Sequence, residues 1–428
     1  MPIQQLSIFS KQGRLHARHS PDQLFNELTQ FDLFGKATRL ATSRIEKGNG
    51  EWTEVPTFVN EFWTAKQRAA NSLHEISYRA CFKPQLPRFF IERLTEVRDT
   101  IYDPFMGRGT ALLEAALLSR NVAGCDINPL SSVMLEPRLN PPTLEQIQKR
   151  LEAIELERDI ALPLDLLAFY HPDTLRQICV LRNYLLERQK AASLDSVDKW
   201  IRMVAINRLT GHSPGFFSVY TMPPNQAVSV PAQQKINARR NQTPPQRDVK
   251  KIILKKSQSL LSDCDAAMRA RLTEMGSKAI LLTEDSENVP QIRDNMVALV
   301  VTSPPFLDVI DYAADNWLRC WFIGVDAKAV PISISSALDE WEGKMYRVLN
   351  ELRRILIPGG WAAFEVGEVR GGKILLEESV IRAAECAGLE PILVLINSQQ
   401  FTKTANTWGV SNNKKGTNTN RIVLLRKT

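Results

Sequence analysis

Hydrophobic positions along the chain fall into two blocks of one pattern, separated by a stretch of another. In LPRFFIERL, residues 86–94, apolar side chains recur at helical spacing. DTIYDPF reads as a short apolar strand running into a glycine-containing turn. GTALLEAALLSR is rich in strong helix formers, and NVAGCDINP is a second strand ending in an acid. The pattern returns far downstream, where KAILLTED, NMVALVVTSPP, GGWAAFEVG, LEPILVLINS and NRIVLLRK read as buried strands. LDEWEGKMYRVLNELRRIL and ESVIRAAECAG read as helices between them. Strands alternating with helices predict an α/β fold, a largely parallel sheet with helices on both faces.

Between the two blocks the sequence is dominated by helical patterns such as TLRQICVLRNYLLERQ. The Pro/Asn/Gln-rich stretch SPGFFSVYTMPPNQAVSVPAQQ interrupts them. The chain therefore divides into an N-terminal segment, 1–70, with no legible motif; an α/β domain made of 71–130 and 278–428; and a helical insertion, 131–277, expected to form a second lobe.

Composition narrows the class. No run approaches the ~18 consecutive apolar residues of a membrane span. MPIQQLSIFSKQGR lacks the basic start and apolar run of a secretory signal, so a soluble, cytoplasmic protein is expected. The six cysteines are scattered singly and the five histidines do not cluster with them, so neither a metal nor a disulfide framework is expected. The net charge of +7 is mild, but its distribution is uneven. Residues 235–256 hold eight basic side chains, Arg239, Arg240, Lys250 and Lys251 among them, and one acid, Asp248. Residues 401–428 hold six and no acid. Such local excess fits contacts to nucleic-acid phosphates or a solvated face.

Candidate chemistry sits at predicted strand ends. Asp103, Pro104, Phe105, Met106, Gly107, Arg108, Gly109 and Thr110 lead from a strand into a helix. Two glycines at spacing two permit a sharp turn and a close backbone approach to a ligand. The pattern is neither G-x-G-x-x-G nor a phosphate loop. A glycine-rich turn with an acid before it suits a zwitterionic amino-acid moiety, whose ammonium Asp103 would meet. Asp126 ends the next strand, either as acceptor for ribose hydroxyls or as an Asx turn before Pro129. Asp285 ends KAILLTED and is placed to hold an adenine amine. Thr302, Ser303, Pro304, Pro305 and Phe306 follow the most apolar strand. Two prolines remove backbone donors, so the loop offers carbonyls, the Ser303 hydroxyl and an aromatic face. That set suits a flipped, amino-bearing base. His171 and His212 read as structural, and Trp317 and Trp321 as part of a buried helix. Residues 220–226 line a cleft or form a plain loop.

Asp103-Pro104-Phe105-x-Gly107-x-Gly109-Thr110, Asp126 and Ser303-Pro304-Pro305-Phe306 together resemble the amino-group DNA methyltransferases of restriction–modification systems. Residues 77–87, with Tyr78 and Phe82, resemble the segment that closes over the methionine part of the cofactor in this family. Ile357-Pro358-Gly359-Gly360 resembles its helix-to-strand turn. The resemblance covers about 71–129 and 278–428. It implies a Rossmann-like methyltransferase sheet, S-adenosylmethionine as cofactor, duplex DNA as substrate, and a cognate restriction endonuclease as a possible partner. Ser-Pro-Pro-aromatic is the form typical of the cytosine-N4 branch, and the adenine-N6 branch more often has Asp or Asn at the Ser303 position. Cytosine N4 is therefore the expected target, with adenine N6 or an RNA base as alternatives. The resemblance gives Ser303, Pro304, Pro305 and Phe306 to catalysis. It gives Tyr78, Phe82, Asp103, Phe105, Gly107, Gly109, Thr110, Asp126 and Asp285 to the cofactor.

Overall fold

The structure, a computed structural model, describes residues 18–46, 50–63, 70–79, 81–221, 227–305, 307, 312–331, 337–369, 373–398 and 419–428. Ala80 and Phe306 lie outside them, as do residues 222–226 and most of the basic stretch after residue 400. The chain opens with helix α1 (Pro21–Thr29) and the hairpin β1 (Arg39–Glu46) and β2 (Trp52–Asn60). Then come α2 (Gln85–Leu94), β3 (Thr100–Asp103), α3 (Thr110–Leu117), β4 (Asn121–Cys125) and α4 (Leu130–Leu139). A run of helices follows: α5 (Leu144–Ala153), α6 (Pro172–Lys190), α7 (Ser196–Ile206), α8 (Val230–Arg240), α9 (Val249–Leu260) and α10 (Ala266–Gly276). The sheet resumes with β5 (Ile280–Leu282), β6 (Val297–Thr302), α11 (Tyr312–Ile323), α12 (Leu338–Ile355) and β7 (Leu356–Val366). A small ribbon, β8 (Glu368–Val369) with β9 (Ile374–Leu375), leads to α13 (Leu376–Cys386), β10 (Glu390–Ser398) and β11 (Thr419–Arg426).

Nine strands form one sheet in the order β1-β2-β10-β11-β7-β6-β3-β4-β5. From β7 to β5 every pairing is parallel, while β11 runs antiparallel between β7 and β10. β6 (VALVVT) is buried at every position, as a central parallel strand must be when helices cover both faces. Alternation along the strands sends Ile101, Leu299 and Val301 to one face and Tyr102 and Val300 to the other. On the second face α12 lays down Trp341, Met345, Val348, Leu349, Leu352 and Ile355 at helical spacing.

Two expectations change here. The segment 1–70 is not separate from the sheet: β2 pairs in parallel with β10 and carries β1 to the sheet edge, where Leu40 and Trp52 stay exposed. Its edge strand β1 was illegible because it buries almost nothing, Ile45 being its one buried residue. The helices of 131–277 do not stand apart as a lobe either. Their buried side chains, Met134, Trp200 and Leu272 among them, join those of α2, α3 and one sheet face in a single hydrophobic cluster. The Ile357–Gly360 turn appears as a bulge inside β7. Val297 faces Leu356 while Leu299 already faces Trp361, and Gly359 sits at φ +74°. Among the described residues no helix is long and apolar enough to cross a membrane.

Candidate functional site

β3 lies between β4 and β6. After β3 the chain steps outward through β4 and β5, then returns to the opposite side as β6. This reversal is the switch point at which open α/β sheets form a crevice beyond the carboxyl ends of their strands. A shallow cleft opens there. Its wall includes Tyr78, Phe105, Gly107, Asp126, Asp285, Ser303 and Pro305. Residues from five distant stretches thus meet on one surface.

Each acid is held differently. Asp103 ends β3 and is 1% exposed; it is buried next to Pro104 and Phe105 of the cleft wall and is not itself part of that wall. Its Oδ1 accepts from Thr302 Oγ1 at 2.7 Å and from the Phe105 N–H at 3.1 Å. Burial nevertheless pushes its carboxyl up to about 7, against those two hydrogen bonds. Asp126 accepts the Gly107 N–H on Oδ2 and the Asn128 N–H on Oδ1, both at 2.8 Å. The Asx turn is present, and it fixes the carboxylate without exhausting its acceptor sites, since two oxygens offer about four. Burial raises this carboxyl as well. Asp285 is exposed, accepts the Glu287 N–H at 3.1 Å and lies 3.7 Å from Lys344 Nζ. The three follow adjacent parallel strands, so they step across two strand spacings, about 10 Å.

The glycine-rich turn splits into a front and a back. Gly107 (φ +49°) faces the cleft, with the Tyr78 ring 3.7 Å from where a Cβ would stand. Gly109 (φ +75°) faces the core, and a Cβ there would stand 2.7 Å from the Leu135 side chain. Thr110 is buried behind the turn, where its hydroxyl accepts from Arg108 Nε at 3.0 Å. Arg108 also donates to the carbonyls of His74 and Ile76, at 3.3 and 2.8 Å. The buried Arg138 donates to the Leu73 and Arg108 carbonyls. These two cations clamp the segment bearing Tyr78 against the turn. Phe82 packs on the core and is not part of the cleft wall.

Ser303 reaches the cleft, while Pro304 is buried behind it. The Pro305 carbonyl accepts from the Trp341 indole of α12 at 2.8 Å. Phe306 lies outside the described residues, so its stacking role keeps only its sequence basis. The Ser303 hydroxyl donates to the carboxylate of Glu365 on β7, which also accepts from Asn420 Nδ2 at 2.6 Å. Burial raises the Glu365 carboxyl above its ordinary range. Sequence reading missed Glu365 and Lys344, because each reaches the site only through the packing of β7 and α12. It also missed Asn128, although the Asp-x-Asn spacing after β4 was legible. Arg239 and Arg240 are exposed at the end of α8, with the Arg240 guanidinium 3.8 Å from the Tyr220 ring centroid. Lys250 and Lys251 lie in the first turn of α9. His171 caps α6, accepting the Asp173 N–H at 3.2 Å. Among the described residues no group of three or more His, Cys, Asp or Glu is arranged to hold a metal.

Residues 8–131 match the DNA methylase family that joins N6 and N4 amino methyltransferases. The Type II methyltransferase M.BsoBI of Geobacillus stearothermophilus is 24% identical over 315 residues, which cover 65% of this chain and 58% of that protein. The Type II methyltransferase M.MvaI of Kocuria varians is 38% identical over 81 residues, 18% of each chain. The chain thus spans less than two thirds of the length of these relatives. Among solved structures, the rRNA methyltransferase aviRa of Streptomyces viridochromogenes superposes with a TM-score of 0.33 at 13% identity, covering 86% of this chain and 94% of its own. The stretch matched by the family model contains Tyr78, the turn with Phe105 and Gly107, and Asp126, which line the cleft together.

Proposed function

We propose that this protein is a DNA methyltransferase of the restriction–modification type, acting on the N4 amino group of cytosine in duplex DNA. The cofactor is S-adenosylmethionine, the methyl donor of the family. The cleft residues fit its parts. Asp103 supplies a carboxylate for the ammonium, with Gly107 and Tyr78 beside the amino-acid moiety. Asp126 keeps an acceptor site for the ribose hydroxyls, and Asp285, one strand further on, is set for the adenine amine. Bound there, the cofactor supplies an electrophilic methyl group on a sulfonium.

The base side belongs to the Ser303 loop. An exocyclic amino nitrogen is a poor nucleophile because its lone pair is delocalised into the ring. Ser303 accepts one amino N–H, which favours a pyramidal nitrogen and frees that lone pair. Ser303 in turn donates its own O–H to Glu365. When the nitrogen gains carbon it must lose a proton, and Glu365, its carboxyl raised by burial, is built to hold one passed through Ser303. Phe306 stacks on the extruded base, and Arg239, Arg240, Lys250 and Lys251 contact phosphates. The observation that carries this reading is the meeting of Asp126, Asp285 and Ser303 at the switch-point cleft, with Asp103 buried and bonded to the backbone of the cleft residue Phe105. DNA incubated with the protein and S-adenosylmethionine, digested to nucleosides and read by mass, should contain N4-methylcytosine. N6-methyladenine would move the target to adenine, and unmodified DNA would remove the activity.

A further inference from the structure

From residue 199 to residue 247 there is no Asp or Glu in 49 residues, where the chain's average of 47 in 428 would place about five. The same stretch holds seven Lys or Arg. Solvated surfaces ordinarily mix both signs. Among the described residues, the part after α7 folds into a loop, 207–221, and the helix α8.

The loop is held as firmly as a regular element. Phe217 N–H donates to the Arg208 carbonyl (2.9 Å), Thr221 N–H to the Gly211 carbonyl (3.0 Å) and Val219 N–H to the Phe169 carbonyl (2.9 Å). The Arg208 guanidinium lies 4.0 Å from the centroid of the Phe216 ring. Only His212, Ser213, Pro214 and Gly215 stand out as an exposed tip. α8 is fastened to the loop through the Tyr220 carbonyl, which accepts from Gln233 and Gln242 Nε2 at 3.0 Å each. Lys235, Arg239 and Arg240 remain exposed on α8.

This unit abuts the segment before Tyr78 and the helix α11. At its start, Asn207 Oδ1 accepts the N–H of Ser77, the residue before Tyr78, at 3.0 Å. Ahead of α8, Ala227 N–H donates to the Asp315 carbonyl (3.0 Å) and the Val228 carbonyl accepts from the Trp317 indole (3.2 Å). Asp315 and Trp317 lie on α11, the helix that follows the Ser303 loop.

We propose that the loop and α8 form one docking surface for the duplex flanking the flipped base, with phosphates on Lys235 and Arg239 and the tip from His212 to Gly215 against base edges. The inference rests on the DNA-methyltransferase reading above. A surface without carboxylates repels no phosphate, and its attachment to Ser77 and α11 sets it beside the point where a base would enter. The tip offers a ring nitrogen and a hydroxyl as donor or acceptor, and Gly215 has no side chain to keep a groove wall away.

The test measures transfer of labelled methyl groups from S-adenosylmethionine to unmethylated plasmid DNA at stepped salt, with the methylated positions then mapped by sequencing. Lys235→Gln with Arg239→Gln should flatten the slope of log affinity against log salt by about 1.8, weakening binding on the order of 60-fold at 0.1 M salt. His212→Ala with Ser213→Ala should keep that slope and change or relax the set of methylated positions. Calorimetric binding of S-adenosylmethionine, expected to be unchanged in all four substitutions, confirms a folded protein. A wild-type slope in the first pair together with wild-type positions in the second overturns this proposal while leaving the methyltransferase reading intact. No transfer to DNA by the wild-type protein overturns both.

Discussion

Replacing Asp103 by Asn removes a charge without changing shape, and the burial of Asp103 fixes what should follow. The carboxyl is buried at 1% exposure beside the cleft residue Phe105, and burial outweighs the hydrogen bonds from Thr302 and Phe105, raising it to about 7 from an ordinary 3.8. A group raised in the folded state favours folding while it is protonated there. Its contribution is fully present below the unfolded value and is lost as pH rises to the folded one. Between pH 5 and pH 8 the ligand-free wild type should therefore lose about 2–3 kcal/mol relative to Asp103→Asn, from the standard linkage of proton binding to unfolding. Asn keeps an acceptor for Thr302 and Phe105, so the variant should fold. Unfolding by urea at the two pH values, variant minus wild type, cancels the titration of every other group. The same variant should bind S-adenosylmethionine about 10- to 150-fold more weakly at pH 8, having lost a charge-assisted hydrogen bond to the ammonium. A stability difference that is flat with pH, or that runs the other way, would refute a carboxyl held near neutrality by burial.

Five other substitutions separate the parts of the site. Asp126→Ala should weaken S-adenosylmethionine binding about 10- to 150-fold by calorimetry and leave unfolding little changed, because its contacts are to the turn and the ligand. Ser303→Ala should keep that affinity and lose most methyl transfer in single-turnover assays; Glu365→Gln should slow transfer and abolish its rise with pH through the raised Glu365 carboxyl. Gly109→Ala should cost about 2–5 kcal/mol by differential unfolding, from a left-handed backbone and a Cβ 2.7 Å from Leu135, whereas Gly107→Ala, whose Cβ meets only ordinary contacts with Tyr78 at 3.7 Å and the Phe105 carbonyl at 3.8 Å, should cost about 1–2 kcal/mol from the left-handed backbone alone and weaken cofactor binding as well.

The strands around the site were legible because parallel strands covered on both faces must be continuous apolar runs, and DTIYDPF, NVAGCDINP and NMVALVVTSPP have no other stable use. Their terminal acids and the Ser-Pro-Pro turn were legible for the same reason: polar residues directly after such strands fall on one rim of the sheet. β1 was not legible, since an edge strand needs little burial and carries exposed Leu40 in its place, and β2, with exposed Trp52 at its start, mixes buried Val55 and Phe58 with polar positions rather than forming an apolar run. Gly109 and Thr110 read like Gly107 in the sequence, and only the packing of α3 on α4 turned them away from the cleft.

The sequence alone determined the α/β pattern, the order of the strand-end motifs and the chemical kind of each candidate group, because those depend on local periodicity and on which residues sit at strand ends. The tertiary structure decided which of these groups share a cleft. It brought Glu365 beneath Ser303, set Lys344 opposite Asp285, fastened the acid-free loop and α8 to the Tyr78 segment and α11, and drew the insertion into the core. These relations join residues tens to hundreds of positions apart, through sheet register and helix packing, and no local pattern encodes a distance across them.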